Sequence, residues 1–579
     1  MRRLLAHAAR EAREIRNPKS EIRNKSQIPS INFRNLRSVW SLGFGALNLF
    51  RISNFRFRIF FVLGIGVCIV GGMSLGCSNC ENHSSPNSQE ESKPSAEPGQ
   101  VGLVLNDPRA APGYTLLNPM TSNKTYLIDR EGHVVHQWES DCYPALSARL
   151  LENGHLLRTG TLDVDKRPFG GAGAGGRVQE FNWDGELVWD FVFSSDKQLP
   201  HHDVTKLPNG NVLMIVWENK NAVEAIATGR KPSSIEGNYL RSDSLIEIQP
   251  TGKTTGKIVW EWHIWDHLIQ DFDPNVSNHG EVAAHPERID INFGETPDPL
   301  RDSGGNVDKL HSIGYLRSGP SGRPQMNPGW AHINSVAYNS ELDQIVISVL
   351  AFDEVWIIDH RTTSVEAAGH SGGRRGRGGD LLYRWGNPRS YRAGTADDQQ
   401  FFGQHSADWI PKGYAGAGNL LVFNNGINRP DGKYSSVDEL VRPLDGNGTY
   451  GLKPGVASLQ EKPVWSYRAP NKESFYSELI SGAQRLSNGN TLICSGICGR
   501  LFEVTSQGEI VWDYITPFQR GPNTRWGPLP PSNSVFRVYH YAPDYPGLKG
   551  KKLTPGPEVE DQRTSSPASI QSPSSPSSP

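Results

Sequence analysis

Two phrases of alternating apolar and polar residues recur down the chain. One is a pair of short apolar runs joined by Asn-Gly, at Leu150–Leu157, Leu207–Leu213 and Leu486–Leu492. Asn-Gly between apolar runs is a strong hairpin signal, and it predicts a tight turn with positive φ at both turn positions. The other is a strand, a polar turn with Gly, and a strand ending in Trp. It spans Ile128–Trp138, Phe181–Trp189, Ile248–Trp260, Ile358–Trp385 with an insertion, Val464–Trp465 in degenerate form, and Val504–Trp512. Six copies imply about six four-stranded sheets. A sheet of this kind cannot bury both faces alone, so the copies must stack, and radial closure removes their exposed edges. The fold class expected is therefore all-β, a six-bladed β-propeller, in which the terminal Trp of each phrase packs between neighbouring blades. The phrase at Tyr126–Trp138 is expected to close the ring with C-terminal strands near Phe536–Tyr541.

The propeller is assigned to residues 101–545. Residues 1–58 are Arg-rich without apolar periodicity and read as disordered or as an over-long start of the reading frame. Residues 59–77 hold an apolar stretch behind Arg51, Arg56 and Arg58, the shape of an export signal or membrane anchor. The run Met73-Ser74-Leu75-Gly76-Cys77 resembles a lipobox, with Ser74 where Leu is expected, which makes Cys77 the candidate lipidation site. Residues 78–100 read as a flexible linker, and 546–579, Ser- and Pro-rich from Gly556, as a disordered tail. The expected location is exported, on the periplasmic or envelope face and membrane-anchored. In such an oxidising compartment Cys494 and Cys498 are expected to be bridged.

Sixty Gly, 41 Pro and 15 Trp suit short strands and tight turns. A net charge of -2 leaves no basic field for a nucleic-acid partner. Nothing in the sequence sets an oligomeric state.

Three histidine phrases stand outside the repeat: His201-His202-Asp203-Val204, Trp330-Ala331-His332-Ile333-Asn334-Ser335 and Gln404-His405-Ser406-Ala407. Each precedes a hairpin of a different blade, at a position that a propeller turns toward its axis. A lone His at a blade edge is ordinarily a satisfied polar residue. Three at one phase point to convergent titratable groups instead. Three imidazoles could hold a metal with an open fourth position, or supply a nucleophile and its electrostatic partners.

With their order and separations, "HHDVTKLPNGN", "HINSVAYN" and "QHSADW" resemble the bacterial arylsulfotransferase family over roughly residues 110–545. The resemblance implies that His405 is the nucleophile that is transiently sulfated, with His332, His202 and Asn334 around the transferred group. His201 stands in for His202 if the register shifts by one. It also implies an aryl sulfate donor, a phenolic acceptor, ping-pong transfer, and no metal, nucleotide or other cofactor. The family places an Arg after the middle His, where this chain reads Leu350; Arg384 is the candidate replacement. Sulfo transfer, like phosphoryl transfer, is expected to need an in-line nucleophile and donors to the non-bridging oxygens. The Gly-rich runs at 170–176 and 369–379 lack the ending and context of a phosphate loop and read as mobile loops. Two other readings share the blade motif: a non-catalytic envelope scaffold, and a quinone-cofactor dehydrogenase-like propeller. Neither needs three axial histidines.

Overall fold

The computed structural model describes residues 100–559 apart from 164–165, 172, 236–237, 294–316, 319–323, 326–328, 443, 445–448, 458–461 and 518–532. The expected anchor at 59–77, the segments 1–58 and 78–99, and the tail from 560 lie outside the described residues. No described helix is long and apolar enough to cross a membrane.

Six antiparallel sheets form the blades of a propeller. Blade 2 runs Pro144–Leu150, Leu156–Thr161, Gly176–Phe181 and Leu187–Val192. Blade 3 runs Gln198–Lys206, Val212–Asn221, Tyr239–Pro250 and Gly256–His263. Blade 4 comprises Ile333–Asn339, Gln344–Val349, Glu354–Asp359 and Tyr383–Trp385; blade 5 comprises His405–Trp409, Leu420–Asn424, Ser436–Leu440 and Trp465–Tyr467. Blade 6 holds Gly482–Arg485, Thr491–Ser495, Arg500–Val504 and Ile510–Ile515, with Gly102–Asn106 added as a fifth, outer strand. Blade 1 takes its inner strand, Tyr539–Tyr541, from the far end of the chain and its others from Tyr114–Leu117, Lys124–Asp129 and Val134–Glu139. The ring thus closes where expected. The C-terminal strand pairs with Tyr114–Leu117 rather than directly with the Tyr126–Trp138 hairpin.

Side chains alternate across a strand, and here both faces are buried. In blade 3, Leu213 and Ile215 enter a cluster shared with blade 4, whereas Val212, Met214 and Val216 enter one shared with blade 2. In blade 5, Leu420 and Val422 face blade 4, and Leu421 and Phe423 face blade 6. These central strands therefore read as continuous apolar runs. The tryptophans lie between blades as expected, and the indole N–H groups do specific work there. Trp138 donates to Asn182 O at 2.9 Å, Trp189 to Thr255 O at 3.2 Å, Trp260 to Thr362 Oγ1 at 3.0 Å, Trp465 to Ser506 O at 2.9 Å and Trp512 to Arg130 O at 2.8 Å. Each acceptor lies on the outer hairpin of the next blade, so the bond recurs at five of the six blade junctions, with a hydroxyl in place of a carbonyl at Thr362.

Three expectations are corrected. In the Asn-Gly hairpins only the glycines, Gly154, Gly210 and Gly489, have positive φ, at 82°, 85° and 91°. The asparagines stay in the ordinary region, and their Oδ1 atoms accept the N–H groups of His155, Asn211 and Asn490. This is a type I turn followed by a left-handed Gly, held by an Asx bond. The segment 546–559, expected within a disordered tail, packs on the propeller. Leu548 joins the apolar cluster around Trp138, and Val134 N donates to Pro557 O at 2.9 Å. Cys494 and Cys498 are free thiols rather than a disulfide. Cys494 lies in the strand Thr491–Ser495, pointing into the core, and Cys498 lies in the following turn, Gly496–Cys498, exposed.

Candidate active site

The inner strands of blades 3, 4 and 5 each carry a bulge near the axis, between Pro200 and Val204, Ile333 and Ser335, and His405 and Asp408 in the pairing registers. His202 and His332 adopt left-handed φ of 54° and 56°, and so does Ser406, directly after His405, at 56°. Such angles are uncommon for residues with a Cβ and cluster at functional positions. They turn the imidazoles out of the strand direction. The rings of His202 and His332 lie 4.8 Å apart, nearly edge to face, and His405 is close enough to shift the titration of both. His202, His332 and His405 are therefore brought together, all fully buried.

His405 is the most tightly specified. Its Nδ1 lies 2.8 Å from Asn425 Oδ1 and 3.2 Å from Gly403 O. The Asn425 amide can face only one way, because its Nδ2 donates to Ser477 O at 2.7 Å and Ile480 O at 2.9 Å. Both neighbours of Nδ1 are then acceptors, so Nδ1 carries the proton and Nε2 holds a free lone pair. Burial, against these two bonds, pushes the His405 pKa down to about 4. The ring is neutral at neutral pH.

His201 is not the axial histidine. It stacks on Trp217 at 4.2 Å, meets His202 through Nδ1–Nδ1 at 2.7 Å, and places Nε2 2.9 Å from Asp243 Oδ1, though not aligned as a straight hydrogen bond. Asp243 Oδ2 in turn accepts His332 N at 3.1 Å. Burial raises the Asp243 carboxyl to about 8 and, with Arg241, holds His201 well below the usual imidazole range. Neither charge is favoured, and the pair is neutral. His332 is pushed down to about 3 by burial and then by His201, His405 and Arg241; His202 is also well below its ordinary value, first through burial.

Asn334 is beside the site, but its Nδ2 donates to Gln404 O at 2.9 Å, and its Oδ1 has no hydrogen-bond partner among the described residues. It aligns blades 4 and 5 and offers an acceptor rather than a donor. Arg384 is not brought to the histidines. Its guanidinium is fully buried on Glu354, with further bonds to Pro286 O, Arg288 O and Ser390 Oγ. It is a structural cation, and its position beside a blade Trp is the reason. Leu350 is buried, its N–H donating to His332 O at 3.2 Å.

The cation near the axis is Arg537, which sequence reading missed. Its Nη1 donates to Asp203 Oδ2 at 2.8 Å and Tyr539 OH at 3.0 Å, while Nε and Nη2 are buried without a hydrogen-bond partner among the described residues. Its charge lowers the pKa of both His202 and His405. The other half of the axis is apolar: Leu146, Ile480 and Phe536 form one cluster with Leu479 and Ile497, and Phe536 lies 6.0 Å from the His202 ring. The glycine-rich run at 170–176 does not stand free as a loop. Gly173 O accepts His202 N at 3.1 Å, and a Cβ at Gly173 would come within 2.7 Å of the His202 ring.

A family model described as arylsulfotransferase (ASST) matches residues 89–516. Arylsulfate sulfotransferase AssT of Escherichia coli O6:H1 is 24% identical over 406 residues, covering 66% of this chain and 58% of the relative. Arylsulfate sulfotransferase AssT of Lelliottia amnigena is 23% identical over 400 residues, with the same coverages of 66% and 58%. The chain thus spans less than two thirds of the length of these relatives. Among solved structures, a protein of unknown function from Bacteroides caccae aligns at a TM-score of 0.36 and 11% identity, over 74% of this chain and 98% of that one.

Proposed function

Since the chain belongs to the arylsulfotransferase family, we propose that it moves a sulfo group from an aryl sulfate to a phenolic acceptor, without a nucleotide, through a sulfated His405. The observation that carries this reading is the tautomer of His405, fixed by Asn425 with Nε2 left free. Nε2 attacks sulfur in line, the N–S bond forms as the S–O bond to the aryl group breaks, and the electron pair leaves with the phenolate. The Nδ1 proton stays on the ring, which becomes an N-sulfo imidazolium. The acceptor oxygen then attacks sulfur, the N–S bond breaks, and neutral His405 returns. Over the cycle, the proton lost by the acceptor phenol is the one gained by the donor phenolate. His202 and His332, both neutral, are positioned to share it.

Arg537 takes the place that Leu350 leaves open, with two unused N–H groups for the sulfo oxygens. The axis also divides to suit the substrate: imidazoles on blades 3 to 5, and Leu146, Ile480 and Phe536 on the remaining blades for an aryl ring. A scaffold propeller needs neither the pinned tautomer nor the buried free donors. Membrane attachment through residues 59–77, with Cys77 as the lipidation site, and an exported location are part of the same proposal; the support is the apolar run and its arginine flank.

The test is incubation with a chromogenic aryl sulfate in the absence of acceptor, followed by mass spectrometry of the peptide spanning Phe401–Ile410. An acid-labile sulfo adduct on His405 is expected, and His405→Ala should lose both the adduct and turnover. Wild-type turnover in His405→Ala would overturn the mechanism.

A further inference from the structure

A second constellation of ligating side chains lies outside the axial site, where blades 3 and 4 meet. The outermost strand of blade 3 runs into a 3-10 turn, Ile264–His267, that ends on His267. The connection before the last strand of blade 4 is the glycine-rich run 369–379, followed by Asp380. His267 Nδ1 lies 2.8 Å from Asp380 Oδ1, and His370 Nδ1 lies 2.9 Å from the same oxygen. The three potential ligand atoms all lie within 4.8 Å of one another. His267 and Asp380 are buried, whereas the His370 side chain is 44% exposed.

Hydrogen-bond bookkeeping shows what this arrangement asks for. His267 Nε2 is 2.8 Å from Ala367 O, and a carbonyl can only accept, so Nε2 carries a proton. A neutral imidazole has one N–H. His267 Nδ1 is then the ring nitrogen that faces Asp380 Oδ1, 2.8 Å away, a contact that either a proton or a bound cation can bridge. The surroundings match a metal better. A metal-ligating His characteristically donates its other ring N–H to a backbone carbonyl, as His267 does. Arg288 Nε holds Asp380 Oδ2 at 3.2 Å and leaves Oδ1 for a ligand. His267 is fixed by stacking on Trp262, whose indole N–H donates to Gly379 O at 2.7 Å. Gly379 must be glycine for this approach, since a Cβ there would come within 2.7 Å of His267 Nε2. Ligand atoms around zinc at about 2.0–2.1 Å stand about 3.3 Å apart on a tetrahedron. The observed 2.8 and 2.9 Å spacings need only a small opening, which the exposed His370 can provide.

We propose that His267, His370 and Asp380 form a site for a borderline divalent transition ion of the zinc class, with two nitrogens, one carboxylate oxygen and a fourth position open to solvent beside His370. The ion joins the glycine-rich connection of blade 4 to the end of blade 3. It stabilises the rim of the propeller and stands apart from sulfo transfer.

The test uses the untagged full chain, stripped with chelator and titrated with Zn²⁺ by calorimetry, with metal content measured after desalting and Co²⁺ absorption as a second probe of the ligands. One zinc per chain and a melting temperature that rises with zinc concentration are expected, as binding to the folded state alone requires. His370→Ala, at an exposed position, should fold, lose that zinc and its thermal shift, and keep aryl sulfate turnover. His405→Ala should retain the zinc, which separates this site from the axial imidazoles. No zinc uptake by the wild type, or unchanged uptake and Co²⁺ spectrum in His370→Ala, would overturn the proposal.

Discussion

Asn425→Ala removes the acceptor that holds the His405 proton on Nδ1 and leaves the ring otherwise in place. One net hydrogen bond is worth about 1 kcal/mol, and a buried N–H left without a good acceptor costs about 1–3 kcal/mol. Gly403 O remains 3.2 Å from Nδ1 and retains part of that preference. The productive tautomer should therefore lose about 1.4–2.8 kcal/mol, a fall of about 10- to 100-fold in the rate of His405 sulfation. Unlike a buried carboxylate orienter, Asn425 carries no charge to stabilise the imidazolium, so a loss as large as that seen in serine-protease triads is not expected. The substitution also strands Ile480 O and leaves Ser477 O only the long contact from Ser435 Oγ at 3.5 Å, so stability should fall by about 1–3 kcal/mol. Single-turnover sulfation, followed by release of a chromogenic phenol, separates the rate effect from the amount of folded protein. Asn425→Asp gives the opposite signature. It keeps an acceptor at Nδ1 and adds negative charge beside the ring, which raises the His405 pKa from about 4. Its single-turnover rate should stay within about 10-fold of wild type at high pH, and its acid limb should move upward. A wild-type sulfation rate in Asn425→Ala, or an unmoved acid limb in Asn425→Asp, would refute the tautomer argument.

Arg537→Lys keeps the charge beside Asp203 but removes the unused guanidinium donors. Turnover should fall about 10²- to 10³-fold with the fold intact, as loss of a transition-state donor does. Arg384→Lys should instead lower stability by up to about 3–5 kcal/mol, by disrupting a buried ion pair, and leave the single-turnover rate unchanged; the reverse pattern would reinstate Arg384 at the site. Stability itself should fall with acid. His405, at about 4 in the folded protein against about 6.5 unfolded, binds more protons when unfolded, so its contribution is present above about pH 6.5 and is lost as pH falls toward 4. At pH 5 this amounts to about 2 kcal/mol, and His405→Gln should flatten the dependence of the urea midpoint on pH over that window. Trp512→Phe keeps most of the ring but drops the bond to Arg130 O at the closure between blades 6 and 1. It should cost about 0.5–1.5 kcal/mol in urea unfolding, and no loss would show that the indole N–H contributes only packing.

The ring was legible because a blade is written six times, even though central runs such as Leu213, Met214 and Ile215, buried on both faces, carry no polar alternation to mark them. Closure was legible for a related reason: the first Trp phrase has too few strands before it to complete a sheet. The turn at Asn153-Gly154 was misjudged because the dipeptide is compatible with two hairpin geometries, and the choice depends on the residues that flank it. Cys494 and Cys498 are close in sequence, but spacing is blind to a buried strand side chain being followed by an exposed one in the turn.

The limits of the site reading have a single physical origin. His202, His332 and His405 could be found because each sits at one phase of a local, repeated phrase. Asn425 lies at the end of a second strand, Leu420–Asn424, where no repeated phrase marks it, and its role depends on carbonyls at Ser477 and Ile480 in the next blade. Arg537 belongs to an inner strand donated across the closure, and its partner Asp203 is more than three hundred positions away. Yet the same phase contains it. The inner strands enter the axis near Leu146, His202, His332, His405, Ile480 and Phe536; positive φ falls on Leu146, His202, His332 and Ile480, but on Ser406 rather than His405 in blade 5 and on Ser481 as well in blade 6. The residue that follows each entry is Ser147, Asp203, Ile333, Ser406, Ser481 and Arg537. In that series Asp203 and Arg537 are the two charged members, of opposite sign, and they are the two that pair. Leu350 directs attention to a cation on its own blade, Arg384, whereas ring closure supplies the charge from the chain's other end.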